Sequence, residues 1–288
     1  MSLPASASPT LRSRRRVLAS ALATGLAPVL ARAASEVADN ENNERWQMLR
    51  KSLFQNRTIS EDSAAIIELD TPARAADAAV VPIAFRTRFV QTAGTYIKKV
   101  HLVIDRNPSP MGATFTFTPE SGRAEIETRV RIEEYTHVRA IAEMNDGRLF
   151  MHTRFVKASG GCSAPAGKDL QAALANAGRM KLRVEGDVVL GQPTLAQLSI
   201  SHPNVSGLAI DQVSRLAPPP HYVRSIEVAY AGKPVLSADL DFTISENPNV
   251  RFFFVPKEAG QLTVNVIDSN DAKFEKSLAV APGQRSDA

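Results

Sequence analysis

The chain has 288 residues, with 34 lysines and arginines against 30 acids and a single cysteine. It is long enough for two modest cores. One cysteine excludes an intramolecular disulfide, and the basic excess suggests nucleic acid only until the charges are located.

They sit at the start. Ser13-Arg14-Arg15-Arg16 stands directly before an apolar run, Val17 to Leu30, which closes with the small-x-small pattern Ala31-Arg32-Ala33. Paired arginines before such a run indicate a twin-arginine export signal, and the run is too short to span a bilayer. Residues 1–33 are therefore expected to be a removed leader and the mature protein to be periplasmic. The leader holds five arginines (Arg12, Arg14, Arg15, Arg16 and Arg32) and no acid, so its loss takes 34 against 30 to 29 against 30. The case for a nucleic-acid partner goes with it. No apolar stretch near 18 residues follows, so no membrane span is expected. In an oxidising compartment an unpaired thiol invites partner chemistry or dimerisation.

After a polar segment, Trp46, Leu49 and Leu53 fall at helical spacing and predict an N-terminal helix with a stripe against a sheet. Ala64 to Leu69 fits either helix or strand. From Val80 the period becomes two: Val81, Ile83, Phe85; Val100, Leu102, Ile104; Phe115, Phe117; Ile126 to Ile132; Val138 to Met144; Leu149 to Phe155. Turn clusters separate these runs, and Asn145-Asp146-Gly147 marks a hairpin. Short, evenly spaced strands of this kind predict an antiparallel sandwich over 34–156.

The last of these strands runs into Lys157-Ala158-Ser159-Gly160-Gly161-Cys162-Ser163-Ala164-Pro165-Ala166-Gly167. Two glycines precede the thiol and small residues follow it. Gly160 and Gly161 are expected to keep the backbone mobile, and nothing local is large enough to bury the sulfur. An exposed, working thiol is expected at Cys162, against the general habit of free cysteines to be small core residues. Lys157 and Lys168 flank it and would attract an anion or raise the thiolate fraction, or serve as solubilising charges. Lys168 to Ala177 predicts a short helix stopped by Gly178, so 157–178 forms a linker. A second β series fills 179–288: Met180–Val184, Leu198–Ser201, Val223–Tyr230, Lys233–Leu240, Val250–Val255, Gln261–Asp268 and Lys273–Val280. Ala231-Gly232 and Ser269-Asn270-Asp271 join neighbours as hairpins. The fold class is thus all-β, two sandwich domains in tandem.

No histidine of His101, His137, His152, His202 and His221 has metal-ligand spacing on a helix, and no metal or cofactor is expected. Gly160-Gly161-Cys162 between strand and helix could instead form a cysteine nucleophile elbow, with His137 or His152 as base, giving a hydrolase or transferase. A third reading is a structural accessory of a dehydrogenase.

Residues along both halves resemble known proteins. Ile226-Glu227-Val228-Ala229-Tyr230-Ala231-Gly232-Lys233-Pro234-Val235-Leu236-Ser237-Ala238-Asp239 is close to a hairpin of SoxZ. His202-Pro203 through Gly207-Leu208, Pro220-His221-Tyr222-Val223, Ile244-Ser245-Glu246-Asn247-Pro248 and Phe252-Phe253-Phe254 continue the match. Ala76-Asp77-Ala78-Ala79-Val80-Val81-Pro82-Ile83 and Gly160-Gly161-Cys162 resemble SoxY. The chain is similar in particular to fused SoxYZ-like carriers associated with quinoprotein alcohol dehydrogenases. That resemblance implies immunoglobulin-like sandwiches that pair with one another. It implies a periplasmic, non-enzymatic carrier that holds a sulfur-containing intermediate covalently on Cys162. Its partners would be sulfur-oxidation enzymes or a quinoprotein dehydrogenase system. Where SoxY ends in Gly-Gly-Cys-Gly-Gly, here Ser163 and a whole domain follow.

Overall fold

The computed structural model describes residues 44–165, 170–210 and 215–283. The expected export signal and Lys168 lie outside the described residues.

Residues 44–54 are helical (α1). The first half then supplies β1 (Ile59–Ser60), β2 (Ile67–Asp70), β3 (Val81–Thr87), β4 (Ile97–Ile104), β5 (Met111–Phe117), β6 (Ile126–Val130), β7 (Thr136–Met144) and β8 (Leu149–Val156). A short helix, α2 (Leu170–Ala175), leads to the second half. That half holds β9 (Met180–Glu185), β10 (Thr194–Ile200), β11 (Val223–Tyr230), β12 (Lys233–Leu240), β13 (Asn249–Phe254), β14 (Gly260–Asp268) and β15 (Lys273–Val280). The segment that fitted either helix or strand resolves as β2, because Ile67 and Leu69 alternate inward and are fully buried beside β3. β10 begins before the expected Leu198, since Thr194 and Ala196 bury on the same face.

The strands make two sheets, ordered β1-β8-β7-β4-β5-β12-β11-β14-β15 and β2-β3-β6-β13-β10-β9. Both run through both halves. β5 pairs antiparallel with β12 (Phe115 opposite Ala238), and β6 with β13 (Ile126 opposite Phe252). Each half thereby covers the other's open sheet edges, which removes two exposed rows of unpaired amides and carbonyls. One apolar layer fills the space between the sheets without interruption, from Phe85, Phe115 and Phe117 to Phe252, Phe254 and Val264. The expectation of all-β sandwiches with two helices holds, and the sandwiches share their sheets.

A second, smaller cluster lies on the outer face of the long sheet. Trp46 and Phe54 of α1 pack there on Val103, Ile141, Leu149 and Met151, as the helical stripe required. The Arg139 guanidinium lies 4.1 Å over the Trp46 ring and holds buried Asp105 through Nη2–Oδ2 at 2.7 Å. Among the described residues no helix is long and apolar enough to cross a membrane.

Candidate functional site

The junction between the halves also makes the site. Beyond β6 the chain runs through Arg131, Ile132 and Glu133 beside the segment that follows β12. Arg131 N donates to Thr243 O at 2.7 Å, and Ile132 N to Ala78 O at 2.9 Å. The Arg131 side chain is buried, and its Nη1 donates to the carbonyls of Phe242 and Ile244, both at 2.9 Å. That guanidinium ties the first half to the second.

The glycine–cysteine segment lies against this junction. Gly160 N donates to Glu133 O (2.8 Å) and Gly161 N to Ile132 O (2.9 Å). The Glu133 carboxylate then accepts from Cys162 N (2.8 Å), Ser163 N (3.0 Å) and Ser163 Oγ (2.7 Å). From the second half, Ser206 Oγ donates to Cys162 O at 2.6 Å. Cys162 is fully buried, with 0% of its surface exposed. The expectation of an exposed thiol is therefore corrected. Small neighbours in sequence could not cover the sulfur, but two halves closing on the segment do.

The glycines act differently from expectation too. A Cβ at Gly161 would sit 2.0 Å from Ala78 O and 2.8 Å from Ile132 N, so glycine is needed there for close approach of two backbones. Gly160, at φ +81°, makes the turn into the dock. Mobility is not what these glycines provide in the docked state.

Burial, followed by the Glu133 carboxylate, pushes the Cys162 thiol up to about 12, with Arg131 pulling it down and Asp241 adding to the rise. The docked sulfur is a protonated, poor nucleophile. Burial likewise lowers Arg131 and raises Asp241. No histidine is among the charged groups acting on the thiol among the described residues. His152 Nδ1 accepts from Leu69 N at 3.0 Å, and His137 stacks edge-on against Phe155. Lys157 is exposed and held by its backbone in a bridge to Arg74; it is not among the charges on the thiol. Sequence reasoning missed Arg131, Glu133, Asp241 and Ser206. Only Ser206 carried a signal, as the hydroxyl inside the His202–Gly207 match.

His202, His221 and Asp268 converge in the second half, with their ligand-type atoms within 4.8 Å of one another. The helix-spacing test could not find them, because they come from two loops and a strand end. His221 Nε2 donates to Asp268 Oδ2 at 2.8 Å, and His202 Nε2 lies 3.6 Å from the same oxygen. Asn204 N donates to His202 Nδ1 at 3.1 Å, which places the neutral ring's proton on Nε2. That nitrogen has no lone pair for an ion; the hydrogen bond of the trio is His221–Asp268, with the His202 ring packed edge-on against His221. Burial, then the neighbouring His221, holds His202 below the usual histidine range. Asp268, despite its burial, is kept below the usual carboxylate range by His221 and the turn amides of Ala272 and Asn270.

A double sandwich whose halves share both sheets and close together on one cysteine is a two-domain cysteine protein. Residues 50–162 match the family of the sulfur oxidation protein SoxY, and residues 182–279 that of the sulphur oxidation protein SoxZ. The chain belongs to the fused SoxY–SoxZ type, a SoxY domain followed by a SoxZ domain. Among solved structures it is similar to the sulfur carrier protein SoxY from Chlorobium limicola f thiosulfatophilum. That match has 23% identity, covers 40% of this chain and 93% of that one, and has a TM-score of 0.33. The fibronectin(III)-like modules of Clostridium thermocellum CbhA share 13% identity over 76% of this chain and 95% of theirs, TM-score 0.23. A superoxide reductase variant from Ignicoccus hospitalis shares 17% identity over 38% and 84%, TM-score 0.27. Comparison with curated proteins returns no match.

Proposed function

We propose that the protein is a periplasmic covalent carrier that binds a sulfur-containing intermediate on Cys162 and presents it to partner enzymes. The observation that carries this reading is the single cysteine, aligned with the end of the SoxY match and clamped where the SoxY and SoxZ domains meet. A carrier thiol must be both protected and deliverable. The dock protects it: buried, protonated and held by hydrogen bonds that contribute about 1 kcal/mol net each, and about 2 kcal/mol where the Glu133 carboxylate accepts. Delivery requires the segment to leave the dock, whereupon the thiol returns to its ordinary value near 8.5.

The segment continues into α2, so it is tethered at both ends. A loop of about ten residues reaches on the order of 15 Å, from roughly 3.3 Å per residue. Partner sites must therefore be shallow, or must close around the junction. Resemblance to carriers associated with quinoprotein alcohol dehydrogenases supports partners in such a system beside enzymes of sulfur oxidation. The three arginines Arg14, Arg15 and Arg16 support export.

Intact-mass spectrometry of protein purified from its own periplasm tests the reading. A mass increment that maps to Cys162, and is missing from a Cys162→Ser variant, is expected. A thiol that stays unmodified during growth on reduced sulfur compounds would remove the carrier role.

A further inference from the structure

We propose that Ser206 is a positioning residue for Cys162, so that the SoxZ domain governs how often the thiol leaves its dock. The role of Ser206 rests on the carrier reading above; its contact with Cys162 does not.

Ser206 is buried, and its hydroxyl is used twice. It accepts from Leu208 N at 3.2 Å and donates to Cys162 O at 2.6 Å. The grip is on main chain, so it acts whatever the sulfur carries. On the other side of the segment, Glu133 takes the amide of the same residue. One peptide unit at each side of Cys162 is thus held by a different domain.

The loop that carries Ser206 is built to keep that hydroxyl in place. Asn204 sits at φ +42°, a conformation that costs a non-glycine residue energy and persists only where contacts over-determine it. Here they do. Its Nδ2 donates to Ile244 O and Ser245 O at 3.1 and 3.2 Å, and its Oδ1 accepts from Val223 N at 3.1 Å. Val205 and His221 exchange both backbone hydrogen bonds, at 2.7 and 2.9 Å. His221 is fastened in turn to Asp268 at the end of β14. The Ile244 carbonyl that receives Asn204 also receives Arg131 from the SoxY domain. The histidine–aspartate anchor thereby supports a loop that reaches the cysteine segment with the Ser206 hydroxyl.

Alkylation of the mature protein by iodoacetamide at pH 7.5 tests this, together with hydrogen exchange of the 157–165 segment and of β14. Loss of one hydrogen bond should make Ser206→Ala label about two- to tenfold faster than wild type. Ser206→Thr, which keeps the hydroxyl, should label within about twofold of wild type, and β14 exchange should stay unchanged in both. Labelling of the alanine variant at the wild-type rate would overturn the proposal. So would a matching rise of exchange in β14, because that reports general loosening. Should Ser206→Ala fail to fold, the near-isosteric Ser206→Cys, a weak donor, takes its place: labelling of Cys162, read by peptide mapping, should again rise about two- to tenfold, and a wild-type rate overturns the proposal. Failure of the adduct experiment would remove the carrier role and leave these rates as they are, and the reverse also holds.

Discussion

Replacing Gly161 with alanine separates docking from folding. The new Cβ would lie 2.0 Å from Ala78 O, 2.5 Å from the same carbonyl carbon and 2.8 Å from Ile132 N. These are backbone atoms already hydrogen-bonded to each other, so none can retreat without breaking that bond. Overpacking costs about 1–3 kcal/mol where side chains can yield, and a rigid backbone places this case near 3 kcal/mol. Release of the segment is the cheaper response, since its amides can bond to water. A shift of about 3 kcal/mol changes the docked-to-released ratio roughly 150-fold, at about 1.4 kcal/mol per factor of ten. A released thiol is ionised to about one part in ten at pH 7.5. One docked at about 12 is ionised to only a few parts in 100,000 on the order of its pKa difference. Alkylation therefore runs through the released form and reads its population. Gly161→Ala should label about 100-fold faster than wild type and still unfold cooperatively, with unfolding stability lowered by no more than the same roughly 3 kcal/mol. Gly160→Ala is the control: φ is +81° but the nearest atom is Ser163 Oγ at 4.0 Å, so about 1 kcal/mol of strain and about a fivefold effect are expected. Equal rates for wild type and Gly161→Ala, or a larger effect at 160 than at 161, would refute the close-approach argument.

Docking should also weaken in alkali. The docked thiol is raised above its free value, so its contribution is complete below about pH 8.5 and is lost as pH climbs toward about 12. Subtilisin nicking within 157–165 should rise between pH 8 and 10 in wild type relative to Cys162→Ser; parallel profiles would count against the shift. Asp105→Asn leaves the Arg139 guanidinium buried under Trp46 without its carboxylate and should cost about 3–5 kcal/mol. Urea unfolding followed by the fluorescence of the single tryptophan measures it, and a loss under about 1 kcal/mol would be too small for a buried pair. Replacing Arg14, Arg15 and Arg16 with lysine should leave precursor in the cytoplasm, and normal maturation in cell fractions would argue against twin-arginine export.

Much of the fold was legible because alternation is local. Val81, Ile83 and Phe85, or Val223 to Tyr230, declare a strand with one buried face whatever surrounds them. The tryptophan stripe of α1 and the Asn145-Asp146-Gly147 turn were readable for the same reason. Strands with weak signals were not: β2 depends on Ile67 and Leu69 finding β3, and at the start of β10 the inward residues are the small Thr194 and Ala196 while Leu195 faces the other way. Nor could spacing show that β5 joins β12 and β6 joins β13, because edge pairing depends on which edges meet in space.

By itself the sequence determined the all-β class, the two SoxY- and SoxZ-like halves and the position of the single cysteine. It also placed the two glycines before that residue. Tertiary structure alone decided what those residues do in the docked state. Exposure of a side chain depends on what packs over it, and the groups that hold Gly161 and Cys162 in place come from Ala78, Ile132, Glu133 and Ser206, far apart in the chain. The same small residues that suggest a mobile arm are those that let two domains close on it, because lack of a Cβ permits both free rotation and close approach. Sequence cannot distinguish these uses, and the shared sheets settle the choice by bringing the covering surfaces together.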